Sequence, residues 1–195
     1  MAKPIDSLLQ TITSKITLNQ AEIDFFCSLW KPRFLKKGQY LVQAGDVCKY
    51  DSFVVKGCLK IFHTNWQTGQ EYILSFSLED WWASDLESFV KQRAATYDIQ
   101  ALEDCQLLQI DYPSFQELLK QIPQFERYFR IITENYLFSL QKRILGTISQ
   151  TKEERYKAFI KQYPQINKRL PQYLIASYLG ITPEFLSKIR SKKES

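Results

Sequence analysis

Apolar positions along this chain change rhythm twice, and each change marks a change of element. From Pro4 to Leu29 they fall at helical spacing. Ile5, Leu8, Leu9 and Ile12 share one face, and Ile23, Phe26 and Leu29 share another after a break at which Thr17 or Asn19 can cap the second helix. From Arg33 to Asp111 the rhythm shortens. Gly38, Gly45, Gly57 and Gly69 separate the β-rich pieces Tyr40–Val42, Ser52–Val55, Leu59–Phe62 and Tyr72–Phe76, and Thr96–Leu102 and Cys105–Ile110 add two more. Alternation in the piece around Ile61 is incomplete, as in strands buried on both faces. Regular short strands with turn signals predict a β-barrel or sandwich, interrupted over 81–95 by a short helix with loops.

Helical spacing returns at Ser114, which with Glu117 predicts a capping box and a helix to Ile122. Beyond Pro123 the apolar residues, from Phe125 through Tyr136 and Leu145 to Ile148, occupy more than one stripe. This predicts a long helix over about 124–146 that packs on the β-rich region with one side and meets a second copy of itself with the other. Burial wholly within one chain is the alternative. Thr151 with Glu154 predicts another capping box and a helix through Tyr163, followed by a polar connection over 165–169. A hinge at 146–150 divides the chain into domains 1–146 and 147–195.

The C-terminal stretch predicts two short helices. Pro171 suits a first helical position, and Leu174, Ile175, Tyr178 and Leu179 form an apolar face with the small Ala176 among them. Gly180 permits the left-handed turn that ends this helix, and Thr182-Pro183 restarts the next with a hydroxyl cap. Phe185, Leu186 and Ile189 turn partly inward, while Glu184, Ser187, Lys188 and Ser191 form the polar face. A helix, a glycine turn and a second helix with a polar, basic face make the helix-turn-helix arrangement, whose second helix enters the DNA major groove. An ordinary helical hairpin is the plainer reading. Charge favours DNA: of the formal net +5, the segment 146–195 holds ten Lys/Arg against four Asp/Glu, whereas 1–145 holds sixteen against seventeen.

The 195 residues, 14% of them aromatic, suffice for one or two domains with true cores. No apolar run reaches bilayer length and no secretion signal opens the chain, so a cytoplasmic protein without a membrane partner is expected. Cys27, Cys48, Cys58 and Cys105 are scattered and His63 is the only histidine. No metal, no cofactor and no catalytic residue is expected, and an enzyme is disfavoured.

KKGQYLVQAGD, IQALEDCQLLQI and LIASYLGITPEFLSKIR, at their mutual separations, resemble the Crp/Fnr family of bacterial transcription regulators across essentially the whole chain. The resemblance implies an α+β fold: an N-terminal double-stranded β-helix (a cyclic-nucleotide-binding-like β-roll) with flanking helices, a long dimerisation helix and a C-terminal winged helix-turn-helix. It implies a homodimer on double-stranded DNA, reading a palindromic operator in successive major grooves, with RNA polymerase as a further partner. By position, Glu184 and Lys188 fall where family members contact bases. Thr182 and Ser187 are phosphate-contact or cap candidates, and Arg190, Ser191, Lys192 and Lys193 extend the set along the backbone. Pro183 stands where the best-known members carry arginine, and Lys188 replaces another arginine. Loss of the bidentate fork predicts weaker guanine discrimination.

Cyclic-nucleotide-binding members hold the ribose with a Gly-Glu-Leu segment and neutralise the phosphate with the arginine of an Arg-Ser/Thr-Ala segment. Here these read Ser84-Asp85-Leu86 and Ala95-Thr96-Tyr97, with Arg93 two residues away. The resemblance thus implies a ligand pocket at Trp82, Ser84, Asp85, Leu86, Ala95 and Thr96, either for an unidentified small-molecule effector or vestigial. That effector is not cyclic AMP held in the usual way, because a buried phosphate would lack its cation. Trp81 and Trp82 are pocket walls or core residues. The rival reading is a small-molecule-binding β-roll whose helical tail docks a protein partner. The cysteine cluster that holds an iron–sulfur centre in oxygen-sensing members is absent.

Overall fold

A computed structural model describes residues 4–191. Helices α1 (Pro4–Thr13) and α2 (Gln20–Ser28) open the chain, and Asn19 is the cap of the second. Its side chain accepts from the Glu22 amide at 3.0 Å and the Glu22 carboxylate accepts from the Asn19 amide at 2.8 Å, a reciprocal box. Eight strands follow: β1 (Lys31–Leu35), β2 (Tyr40–Val42), β3 (Tyr50–Lys56), β4 (Leu59–Asn65), β5 (Gln70–Ser77), β6 (Trp82–Ala83), β7 (Asp98–Ala101) and β8 (Cys105–Asp111), with helix α3 (Leu86–Lys91) between β6 and β7. They form two antiparallel sheets, β1-β8-β3-β6 and β2-β7-β4-β5, stacked as a β-roll. Leu35, Val54, Leu59, Ile99 and Leu107 fill the space between the sheets.

Alternation along β8 sends Leu107 into that interior and Leu108 and Ile110 to the outer face of the first sheet. There they meet α1, α2, α4 (Tyr112–Gln121) and the start of α5 (Gln124–Ser149), in a core built around Phe26, Phe53, Phe125 and Tyr128. Phe26 and Phe125 stack with ring centroids 5.2 Å apart. The outer face of the second sheet is covered from the other end of the chain. Helices α6 (Lys152–Gln162), α7 (Pro164–Arg169), α8 (Gln172–Leu179) and α9 (Pro183–Ser191) bury Tyr156, Phe159, Leu174, Ile175 and Leu186 with Phe62, Ile73 and Phe76 of β4 and β5.

Several elements differ from the sequence expectation. β1 and the two-residue β6, paired to β3 through Ser52–Ala83 and Phe53–Trp82, fall in stretches without a strand signature of their own. Helix α4 starts earlier than a Ser114–Glu117 box would have it. Asp111, the last residue of β8, caps it by accepting from the Ser114 amide at 2.9 Å. The expected connection 165–169 is helical, since Pro164 occupies the first turn of α7 instead of only ending α6. Pro171 caps α8 from outside. Helix α5 runs unbroken through Gly146 to Ser149, three residues past the expected end, and the extended backbone falls at Gln150 and Thr151. All described residues after β8 are helical or connecting, so the expected wing has no strand among them.

Candidate functional site

Gly180 adopts φ +64° and ends α8, its N–H donating to the Ala176 and Ser177 carbonyls while the Ile181 amide also reaches Ala176 at 3.0 Å. The Thr182 hydroxyl accepts from the Phe185 amide at 3.2 Å and starts α9. Leu186 and Ile189 anchor α9 in the core against α8, so helical periodicity turns the intervening positions outward. Thr182, Glu184, Ser187 and Lys188 are exposed, Arg190 is half-buried, and the exposed Ser191 directs its hydroxyl to the Lys188 carbonyl. Lys192 and Lys193 lie outside the described residues. Glu184 and Lys188, four apart, make no ion pair with each other among the described residues, so both heads face solvent. Phe185 is on the flank of this surface, with the Lys152 ammonium 5.1 Å from its ring centre.

Three side chains tie the helix pair to the β-roll. The Ser177 hydroxyl donates to the Glu71 carbonyl at 3.0 Å and accepts from the Ile73 amide at 3.3 Å. Arg143, from α5, donates to the carbonyls of Ile73, Leu74 and Tyr178, and its guanidinium lies 4.2 Å from the Tyr178 ring centre. Arg169, the last residue of α7, pairs with Glu79 at 2.7 Å and also with Glu103. Partial burial pulls the Glu79 carboxyl upward, but Arg169 and the Gly57 amide outweigh it and hold its pKa below the usual carboxylate range. None of these three residues carried a local sequence signal, because each acts across the fold.

The segment expected to hold a ligand is closed on itself. Asp85 is buried and caps α3, accepting from the Ser88 amide at 3.0 Å with one oxygen. Its other oxygen accepts from the Thr96 amide at 2.8 Å and the Tyr97 amide at 3.3 Å. Ala95, where the sequence resemblance would call for a phosphate-binding arginine, is fixed by backbone bonds: its amide donates to Asp46 at 2.7 Å and its carbonyl accepts from Gly45 at 2.9 Å. Arg93 is exposed, as is Leu86. The Ser84 hydroxyl is engaged with Asp51, a carboxyl whose burial raises its pKa to about 6. Structure thus brings Ser84, Asp85, Ala95 and Thr96 together, but Asp85 is taken up by the Thr96 amide, Ser84 by Asp51, and the Ala95 backbone by Asp46 and Gly45. Trp82 belongs elsewhere, its ring packed among Trp30, Phe53, Tyr128 and Phe129 and its N–H donating to the Tyr128 hydroxyl at 3.2 Å. Trp81 lies edge-on to Tyr163. A neighbouring cavity of about 260 Å³ is lined by β2, the turn after it, Tyr50 and Gln109, and by none of the six expected pocket residues.

Burial pushes the Cys48 and Cys105 thiols up to about 11 and that of Cys58 up to about 12, so they stay protonated at neutral pH. No group of three or more His, Cys, Asp or Glu suited to a metal ion occurs among the described residues, and no described helix is long and apolar enough to cross a membrane.

The cyclic nucleotide-binding domain family matches residues 32–122. The transcriptional activator protein Anr of Pseudomonas aeruginosa is 26% identical over 198 residues, covering 94% of this chain and 79% of its own. Anr of Pseudomonas protegens is 25% identical with the same coverage. Among solved structures, the c-di-GMP responsive global regulator CLP of Xanthomonas campestris superimposes with a TM-score of 0.71 at 14% identity, over 90% of this chain and 92% of that one. FixK2 of Bradyrhizobium japonicum gives the same TM-score at 18% identity, over 84% and 83% of the two chains.

Proposed function

We propose that this chain, matched over 32–122 by the cyclic nucleotide-binding domain family and similar along its length to Anr and CLP, is a transcription regulator of the Crp/Fnr type that binds duplex DNA as a homodimer through α9. One observation supports this reading above the others. Helix α9 is anchored by Leu186 and Ile189 and presents Glu184, Ser187 and Lys188 outward beside the capping Thr182. A carboxylate there accepts from cytosine N4 and an ammonium donates to guanine O6 or N7. The domain division follows the same logic, with a sensor domain ending in α5 and a DNA-binding domain beginning with α6.

Exposed Phe138, Leu145 and Ile148 lie along α5 with Gln141 at alternating steps of three and four, the spacing of a two-helix seam. Pairing of two copies along that seam presents two α9 helices to a palindromic operator, with RNA polymerase as the partner that such a regulator addresses. The Asp85 segment does not hold cyclic AMP in the usual way, because its amides already serve a carboxylate and its phosphate cation is missing. The rival reading, a helical tail that docks another protein, is disfavoured by the apolar sides of α8 and α9, which are buried on the chain's own β-roll.

Gel shifts with genomic fragments test the base-reading role. Lys188→Ala is expected to lower affinity for the preferred fragment about tenfold while leaving binding to the others nearly level. Equal affinity of both proteins for every fragment overturns it.

A further inference from the structure

The end of the β-roll nearest α8 carries two carboxylates on separate turns. Glu79 follows β5 and Glu103 lies between β7 and β8. The two turns are held close together by backbone, and Glu79 by a backbone amide as well. Gly57, at φ +106°, approaches the second turn so closely that a Cβ there would lie 2.9 Å from the Asp104 carbonyl and 2.6 Å from the Cys105 sulfur. The Gly57 amide in turn donates to Glu79 at 2.9 Å. Arg169 fills the gap, gripping both oxygens of Glu79 at 2.7 and 3.1 Å and reaching Glu103 with the same fork. Its side chain remains 29% accessible, so a competing anion can approach it.

A carboxylate gripped by both arms of a guanidinium offers the geometry that a phosphodiester offers. Arg169 also ends α7, with only Leu170 and Pro171 between it and α8, and the first helix of such a pair crosses the nucleic-acid backbone. We infer that Glu79 and Glu103 act as an internal substitute for a DNA phosphate, withholding Arg169 from the duplex until the backbone displaces them. The contact is autoinhibitory: it subtracts one phosphate contact per protomer from the affinity that the helix pair would otherwise have. This rests on the DNA reading above.

The test is a double-mutant cycle on the full chain, using a fluorescein-labelled duplex of scrambled sequence of about 30 bp, long enough for two half-sites. Glu79→Gln with Glu103→Gln is expected to tighten binding about tenfold near 0.1 M salt and to steepen the plot of log K against log salt by about one unit per protomer. Adding Arg169→Ala to that background should abolish the gain, whereas Arg169→Ala alone should change affinity less than about threefold. A control pair, Asp24→Asn with Glu126→Gln, alters net charge equally at exposed positions away from Arg169. Should the control reproduce the gain and the steeper slope, or Arg169→Ala leave them standing, the inference is overturned while the DNA reading survives. Absence of binding by every form at low salt removes the DNA reading and this inference with it. If the Gln pair does not fold, Arg169→Lys gives a second reading. It keeps the charge, loses the bidentate grip and should bind DNA more tightly than the parent, whereas unchanged or weaker binding refutes the substitution of carboxylate for phosphate.

Discussion

The two faces of the β-roll are covered by helices in different ways. On the first sheet, α1, α2, α4 and α5 interlock through rings, with Phe26, Phe53, Phe125 and Tyr128 almost wholly enclosed. On the second sheet, the C-terminal helices share an apolar core, but its margin is held by Arg143, Ser177 and Arg169. Dispersion and hydrophobic burial are not screened by ions in solution, whereas partly exposed charged contacts weaken with salt and compete with other anions. The first face is suited to permanence. The second is suited to a tail whose contacts can be exchanged.

Phe125→Ala is the harshest way to sharpen that contrast. It removes a fully buried ring stacked on Phe26 and should cost ~3–5 kcal/mol, lowering the thermal midpoint of the whole chain. A small, local effect would mean that the first face is not the permanent one. Arg143→Ala comes next. It strips three carbonyls of their donor and should cost ~1–3 kcal/mol, felt as faster hydrogen exchange in α8 and β5 with α1 and α2 unchanged. Equal loosening at both ends would break the comparison.

The smallest effect has the opposite sign. Asp51 is a buried carboxyl on β3 whose pKa burial raises to about 6. A carboxyl that binds its proton more tightly when folded gives most stability below about 4, and that contribution falls as pH rises to about 6. Asp51→Asn cannot ionise and keeps the acceptor for the Ser52 amide, so it should stabilise by ~1–2 kcal/mol at pH 7–8 and not at all below pH 4. Equal midpoints at both pH values would show that Asp51 is not strained by its charge.

Legibility in the sequence followed locality. The Thr151–Glu154 box, the Gly180 turn and the Thr182 restart are each decided within a few residues, and they stand where the pattern puts them. β6 exists only because Trp82 and Ala83 find β3, nearly thirty positions back, and nothing within the pair announces it. Asp111 outcompetes Ser114 as a cap because the strand delivers it to the helix start, which a motif scan centred on hydroxyls passes over. The polar row on α9 was readable as the complement of Leu186 and Ile189. Arg143 and Arg169 were not, since a charged side chain looks the same in sequence whether it meets solvent or a carbonyl seventy residues away. By resemblance Asp85 reads as a ligand contact, but the amides of Thr96 and Tyr97 that occupy it lie across a loop whose path no spacing predicts.

Ser177 has one further consequence. β5 is the outermost strand of its sheet, and the serine hydroxyl engages the backbone there on both sides of Tyr72, while Arg143 takes the next carbonyls along. An open sheet margin is an invitation for strands of other molecules to add on. The tail therefore serves as a selvedge, finishing the edge of the weave so that neighbouring copies do not stitch themselves onto it.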